Sequence, residues 1–153
     1  MRTHRVFAIV FIFLLSLGAA ADANASAAEA RTTFPVYGTG PVEVRLYADY
    51  FCDACAAIEP ELEPIMKDLV KKNLIKLTLV DVPFSSNTRL YATYFLYALN
   101  AENTIDQAFY VKDVLFKATS GPNRVIEEDA MKKFFKCNGI AYAPFTIKPA
   151  LNR

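Results

Sequence analysis

Apolar and polar side chains alternate along residues 42–47. Val42, Val44 and Leu46 fall on one face, and Glu43, Arg45 and Tyr47 on the other. A repeat of two is that of a strand. Ahead of it, residues 34–37 suit a short strand, and Gly38-Thr39-Gly40-Pro41 is a turn signal. From Cys52 the repeat lengthens: Ile58, Leu62, Ile65, Met66, Leu69 and Val70 recur at helical spacing. Pro60 and Pro64 are expected to interrupt this helix, because each removes a backbone donor and crowds the preceding turn. Lys71, Lys72 and Asn73 suit its C-terminus. Residues 74–80 carry apolar side chains on both faces and predict a buried strand. Strand, helix and strand make a βαβ unit, right-handed if the strands are parallel.

Beyond this unit the periodicity is helical. Residues 89–99 are apolar on nearly all sides, which predicts a buried helix rather than a substrate groove. Residues 104–118 are amphipathic through Ile105, Ala108, Phe109, Val111 and Leu115. A turn at residues 120–123 leads to a helix over 126–137, stopped by Asn138-Gly139. One more helix is expected from Phe145 onward. No repeat or low-complexity tract appears.

The first residues read differently. Arg2 and Arg5 precede an apolar run over residues 6–17, and the small-residue triplets Ala21-Asp22-Ala23, Ala23-Asn24-Ala25 and Ala25-Ser26-Ala27 follow. This is the pattern of a secretory signal peptide, expected over residues 1–25. The alternative is an uncleaved anchor, for which the run is short, since spanning takes about 20 residues. Export to the periplasm or the medium of a bacterium is the expectation. No membrane association is expected once the signal is removed.

Signal removal changes the inventory. His4, the chain's single histidine, leaves with it, so the mature chain can build neither a His-dependent triad nor a His-containing zinc site. It also leaves 15 basic and 15 acidic side chains, so no steering toward one class of charged partner is predicted. Nucleic acid is excluded as a partner by the lack of a Lys/Arg cluster. At 54% hydrophobic residues, the chain has ample apolar surface to offset its conformational entropy, which excludes disorder.

The candidate chemistry is Cys52-Asp53-Ala54-Cys55, where the strand hands over to the helix. A thiol at a helix N-terminus meets unsatisfied N–H groups and the positive end of the helix dipole. Both favour the thiolate, which is the attacking species. The second cysteine, one turn on, is placed to resolve a mixed disulfide. C-x-x-C within a strand–helix–strand pattern reads as a redox motif, and export adds weight to disulfide chemistry. Three alternatives remain: a structural disulfide staple on a non-catalytic binding protein, a Cu(I)-handling dithiolate, and a metal site. Zinc prefers four N/S ligands, and Cys137 is the one further thiol. Haem attachment would need histidine after the second cysteine, where Ala56 stands. No cofactor or metal is expected.

These residues resemble the thioredoxin superfamily and, within it, the DsbA-like oxidoreductases. The resemblance rests on the apolar strand, Phe51 before the first cysteine, the C-x-x-C, and Pro60 eight residues after Cys52. It implies an α/β, thioredoxin-like fold over residues 34–153, with an inserted helical subdomain over about 86–153 and the C-terminal strands missing. It implies Cys52 as nucleophile and Cys55 as resolving thiol. Phe51, Asp53 and Ala54 would tune the pair. Partners would be protein thiol or disulfide substrates and a redox-recycling protein. Oxidase, reductase and isomerase share this motif.

The chain departs from the family in three ways. Asp53-Ala54 replaces the family's usual dipeptides, offering Cys52 a negative neighbour and no histidine, so a strongly oxidising character is not expected. The acid these families often keep six residues before the first cysteine is Leu46 here, and Asp49 lies on another strand face. The family's cis-proline has one candidate, Pro144, which reads better as the start of a helix. The strand over residues 42–47 would then keep an unpaired edge. Cys137 is expected to be buried and inert. Glu127 and Glu128 suit an acidic first helical turn, and Glu59, Glu61 and Glu63 a solvated helix face.

Overall fold

The computed structural model describes residues 34–82, 84–85, 87–120 and 124–145. The signal-peptide reading, all but Ser120 of the turn at 120–123, and all but Phe145 of the helix expected from Phe145 onward lie outside them. Strand β1 (Val36–Tyr37) is followed by β2 (Val42–Ala48), helix α1 (Asp53–Lys71) and β3 (Ile75–Asp81). Helices α2 (Thr88–Ala101), α3 (Ile105–Thr119) and α4 (Glu128–Cys137) complete the order. The sheet runs β1-β3-β2. β1 pairs with β3 antiparallel, Val36 opposite Thr78, and β2 pairs with β3 parallel from Val42–Ile75 to Ala48–Asp81.

The central strand is the one with apolar residues on both faces. Ile75, Leu77 and Leu79 are buried, and the residues between them are half-buried. β2 is an edge strand: Val42, Glu43, Arg45 and Tyr47 are exposed, and Val44 and Leu46 are half-buried. Among the described residues no strand lies on its other side and none follows β3. Gly38 makes the turn between β1 and β2 possible. Its φ is +79°, and a Cβ there would lie 2.6 Å from the Ile75 carbonyl oxygen.

Helix α1 corrects one expectation: it runs unbroken through Pro60 and Pro64. Both prolines lie on its exposed side. Packing of Leu69, Met66 and Val70 on the core holds the axis together. The helix stops where Asn73 takes a φ of +55°.

Helix α2 buries Tyr91, Tyr94, Phe95, Ala98 and Leu99, which is the core role its all-round apolarity predicts. α3 starts at the Thr104 cap, whose side chain accepts from the Gln107 N–H, and buries Phe109, Val111 and Leu115. α4 begins two residues later than the pattern predicts, leaving Ile126 exposed, with Glu127 at the cap and Glu128 in the first turn. It docks through Met131 and Phe135, the latter edge-on to Tyr94 at 5.2 Å. Cys137 is exposed at its end, contrary to the buried position expected. Four residues beyond Met131 the buried face is taken by Phe135, and Cys137 lies about 200° further round than Phe135 on the 3.6-residue turn.

Candidate functional site

The site forms at the carboxyl end of the parallel pair β2–β3, where the Val82 N–H after β3 donates to the Ala48 carbonyl at the end of β2. The turn after β2 closes with the Cys52 N–H donating to the Asp49 carbonyl at 3.1 Å. Cys52 then caps α1 in an extended conformation. Its Sγ accepts from the Cys55 N–H at 3.2 Å, and its carbonyl accepts from Ala56 at 3.0 Å. Cys52 and Cys55 are joined as a disulfide, with Cα atoms 5.2 Å apart. Both are half-buried, whereas Asp53 and Ala54 between them are exposed. One helical turn thus brings the two sulfurs together and leaves the intervening dipeptide facing solvent.

Two neighbours hold the motif from behind. Phe51 packs edge-on against Tyr91 of α2 at 5.1 Å. Asp49, 5% exposed, accepts from the Phe51 N–H at 2.8 Å, the Phe84 N–H at 3.0 Å and the Thr88 hydroxyl at 2.9 Å. One carboxylate thereby ties the loop before the cysteines to the segment after β3 and to the start of α2. Asp49 was legible only as a neighbour of the motif. Its local signal is the short polar side chain two residues before the N–H it accepts from, an Asx turn.

Beneath the motif lies a charge cluster that the sequence pattern hid. Glu59, read as solvated, is 5% exposed and faces inward one turn beyond Cys55. Lys112 of α3, 1% exposed, places Nζ 3.2 Å from Glu59 Oε1 and over the rings of Tyr50 and Phe116. The Tyr50 hydroxyl donates to Asp81 Oδ2 at 3.3 Å. Asp81 Oδ1 is sealed from solvent and accepts no hydrogen bond among the described residues, whereas the sealed Glu59 Oε1 has the Lys112 ammonium against it. Asp81 as a whole residue is half-exposed, but this sealed oxygen decides its chemistry. Burial raises its pKa from 3.8 to about 6, opposed by Lys112 and the Tyr50 hydrogen bond and assisted by Glu59 and Asp49. Burial also raises Glu59, against the pull of Lys112. Tyr50 is pushed up by its own burial and by Asp81.

These shifts have a measurable consequence. An acid whose folded pKa is raised holds a proton in the native state that the unfolded chain has released. Stability therefore falls as pH rises from about 4 to about 6, by an amount on the order of 3 kcal/mol for Asp81. Urea midpoints measured across that window are expected to decline in the unmutated chain and to flatten in Asp81→Asn.

Of the remaining sequence candidates, Leu46 is half-buried with no acid in its place. Pro144 is not a cis-proline, since no peptide bond among the described residues is cis. Its neighbour Ala143 is bonded to α2 instead, donating to the Tyr97 carbonyl and accepting from the Asn100 side chain. No group of metal-ligating side chains occurs among the described residues.

Comparison with known proteins then places the chain. Residues 35–144, from β1 to beyond α4, match the family model described as Thioredoxin. The chain belongs to the thioredoxin family. Curated proteins yield no match. Solved structures do. Oxidised BdbD from Bacillus subtilis is 24% identical with a TM-score of 0.55, covering 67% of this chain and 57% of that one. A conserved protein of unknown function from Enterococcus faecalis is 15% identical with a TM-score of 0.57, covering 74% and 65%. Wolbachia pipientis alpha-DsbA1 is 11% identical with a TM-score of 0.54, covering 76% and 55%. At these identities the likeness is one of fold: this thioredoxin-family chain has the DsbA-like arrangement of sheet and helices. It spans between 55% and 65% of the length of those three structures.

Proposed function

We propose that this chain is an exported protein thiol–disulfide oxidoreductase working through Cys52 and Cys55. The observation that carries the reading is the Cys52–Cys55 disulfide at the N-terminus of α1. A thiolate released on Cys52 would receive the Cys55 N–H and the helix dipole, both of which lower the cost of the charge. Cys52 is the attacking thiol and Cys55 the resolving one. The substrates are protein thiols or disulfides, and a recycling redox protein restores the pair. The signal pattern of residues 1–25 supports action in a bacterial periplasm or outside the cell. Among the described residues no helix is long and apolar enough to cross a membrane. We assign the helices beyond residue 86 to the insertion that sets DsbA-like proteins apart.

The test is oxidation of a two-cysteine peptide by the disulfide form of the chain. Stoichiometric peptide disulfide, with loss of the Cys52–Cys55 bond, is the result expected. Unchanged peptide thiols would reject the reading.

Asp53 and Ala54 set the oxidising strength. An exposed carboxylate beside Cys52 and no cation disfavour its thiolate, so the pair is less oxidising than DsbA. Ala54→His is expected to lower the Cys52 pKa, followed by thiolate absorbance, and to raise the reduction potential. Identical values in both chains would show that the dipeptide does not control the pair.

A further inference from the structure

Strand β2 closes one side of the sheet, and its hydrogen bonds show which of its residues face outward. In a strand the N–H and C=O of one residue point to the same side, and successive residues alternate. The Gly40 N–H donates to the Ile75 carbonyl at 3.2 Å, and the Ala48 carbonyl accepts from the Val82 N–H at 2.8 Å. The even-numbered residues of β2 therefore turn their backbone groups toward β3. Glu43, Arg45 and Tyr47 turn theirs to the free edge, and all three are exposed. Such an edge is a template for another strand.

The side chains along this edge suit the same strand running in the opposite direction. Outward-facing residues bond only with outward-facing residues of the added strand, so an antiparallel second copy has few registers open to it. In the register centred on Val44, Glu43 lies opposite Arg45 of the second copy, and Arg45 lies opposite its Glu43. Val42 then meets Leu46, and Tyr47 meets Pro41. Val42 and Tyr47 are 56% and 57% exposed in the single chain, and both gain apolar cover. Centring on Arg45 would set two guanidinium groups face to face, and centring on Glu43 two carboxylates. Like charges directly opposite are destabilising, and opposite charges are favourable. Within the chain Glu43 has Lys76 of β3 at 3.0 Å. Arg45, opposite Thr78, forms no ion pair among the described residues. The register centred on Val44 supplies one.

We propose that this chain forms a twofold dimer in which β2 pairs antiparallel with β2 of a second copy, centred on Val44. The two three-stranded sheets join in the order β1-β3-β2-β2-β3-β1. Glu43 and Arg45 form hydrogen-bonded pairs across the join, each exchanging two backbone bonds. The contact is isologous and consumes both long edges, so assembly stops at two chains. The edges that remain are the two-residue β1 strands. The antiparallel arrangement sends the two Cys52–Cys55 pairs, which follow β2, toward opposite ends of the joined sheet. The dimer does not depend on the oxidoreductase reading.

Sedimentation equilibrium tests this on the chain purified from an oxidising compartment. Cys137→Ser is carried throughout, so that the exposed thiol links no copies. A monomer–dimer equilibrium is expected. Arg45→Glu sets carboxylates against each other at both cross-strand pairs, and Glu43→Arg sets guanidinium groups there. Each change alone is expected to raise the dimer dissociation constant by about tenfold or more. Mixing the two variants in equal amounts puts opposite charges back at both pairs, and a heterodimer should form. That recovery also shows that neither variant has merely unfolded. A chain that stays monomeric at every concentration overturns the proposal and leaves the edge to a strand of another protein. A dimer that both variants form as readily as the unmutated chain, or a loss that mixing does not repair, overturns it as well.

Discussion

Replacing Cys55 by Ser is expected to leave the chain covalently joined to its substrates, while replacing Cys52 by Ser leaves it joined to none. The asymmetry follows from the cap. Cys52 Sγ already accepts the Cys55 N–H and sits at the positive end of a 19-residue helix. Cys55, one turn inside, has no such donors and faces the core. An attacking thiolate on Cys52 therefore forms mixed disulfides, and without Cys55 nothing resolves them. Non-reducing gels and mass spectrometry of the two variants, purified from an oxidising compartment, check the result. Equal trapping by both would remove the assignment of nucleophile. Dithiol exchange itself should be lost in each variant, because one complete turnover needs both sulfurs.

Lys112→Met is expected to produce the largest loss of stability among the variants considered. Methionine fills much the same volume, so the change isolates the charge. Glu59 and Asp81 are left buried without their cation, and breaking a buried pair in this way costs about 3–5 kcal/mol. The loss should be greater at pH 7 than at pH 5, where the two acids relieve the imbalance by taking up protons. Adding Glu59→Met to Lys112→Met should recover part of it. Urea denaturation at both pH values measures all three chains. A loss that does not depend on pH would mean that Lys112 acts through packing on Tyr50 and Phe116 rather than through charge.

The sequence made the frame of the fold legible because that frame rests on local periodicity. β3 announces itself by apolar residues on both faces, α2 by apolarity on all sides, and the site by its C-x-x-C at the strand–helix junction. The misreadings share another physical cause, which is that polarity does not reveal the face a side chain occupies. Glu59 shares an acidic run with Glu61 and Glu63, although its spacing of four from Cys55 and three from Leu62 puts it on the inward stripe. Lys112 likewise continues the stripe from Ala108 to Leu115, and Asp81 extends the buried face of Ile75, Leu77 and Leu79. Each charge was readable as inward from its spacing. That the three converge was not, because it depends on how α1, α3 and the sheet pack. Cys137 departs from expectation in the opposite direction. Free cysteine is usually buried, but Met131 and Phe135 already define the buried face of α4.

A thiol–disulfide oxidoreductase requires the Cys52–Cys55 disulfide to be a reversible redox couple. Equilibration of the full chain with glutathione buffers, quenched by acid and counted as free thiols, measures this directly. A reversible transition is expected at a potential more reducing than the roughly −120 mV of DsbA and above about −300 mV, below which structural disulfides lie. A pair that stays oxidised through the whole glutathione range would instead be a structural staple, and would contradict the account.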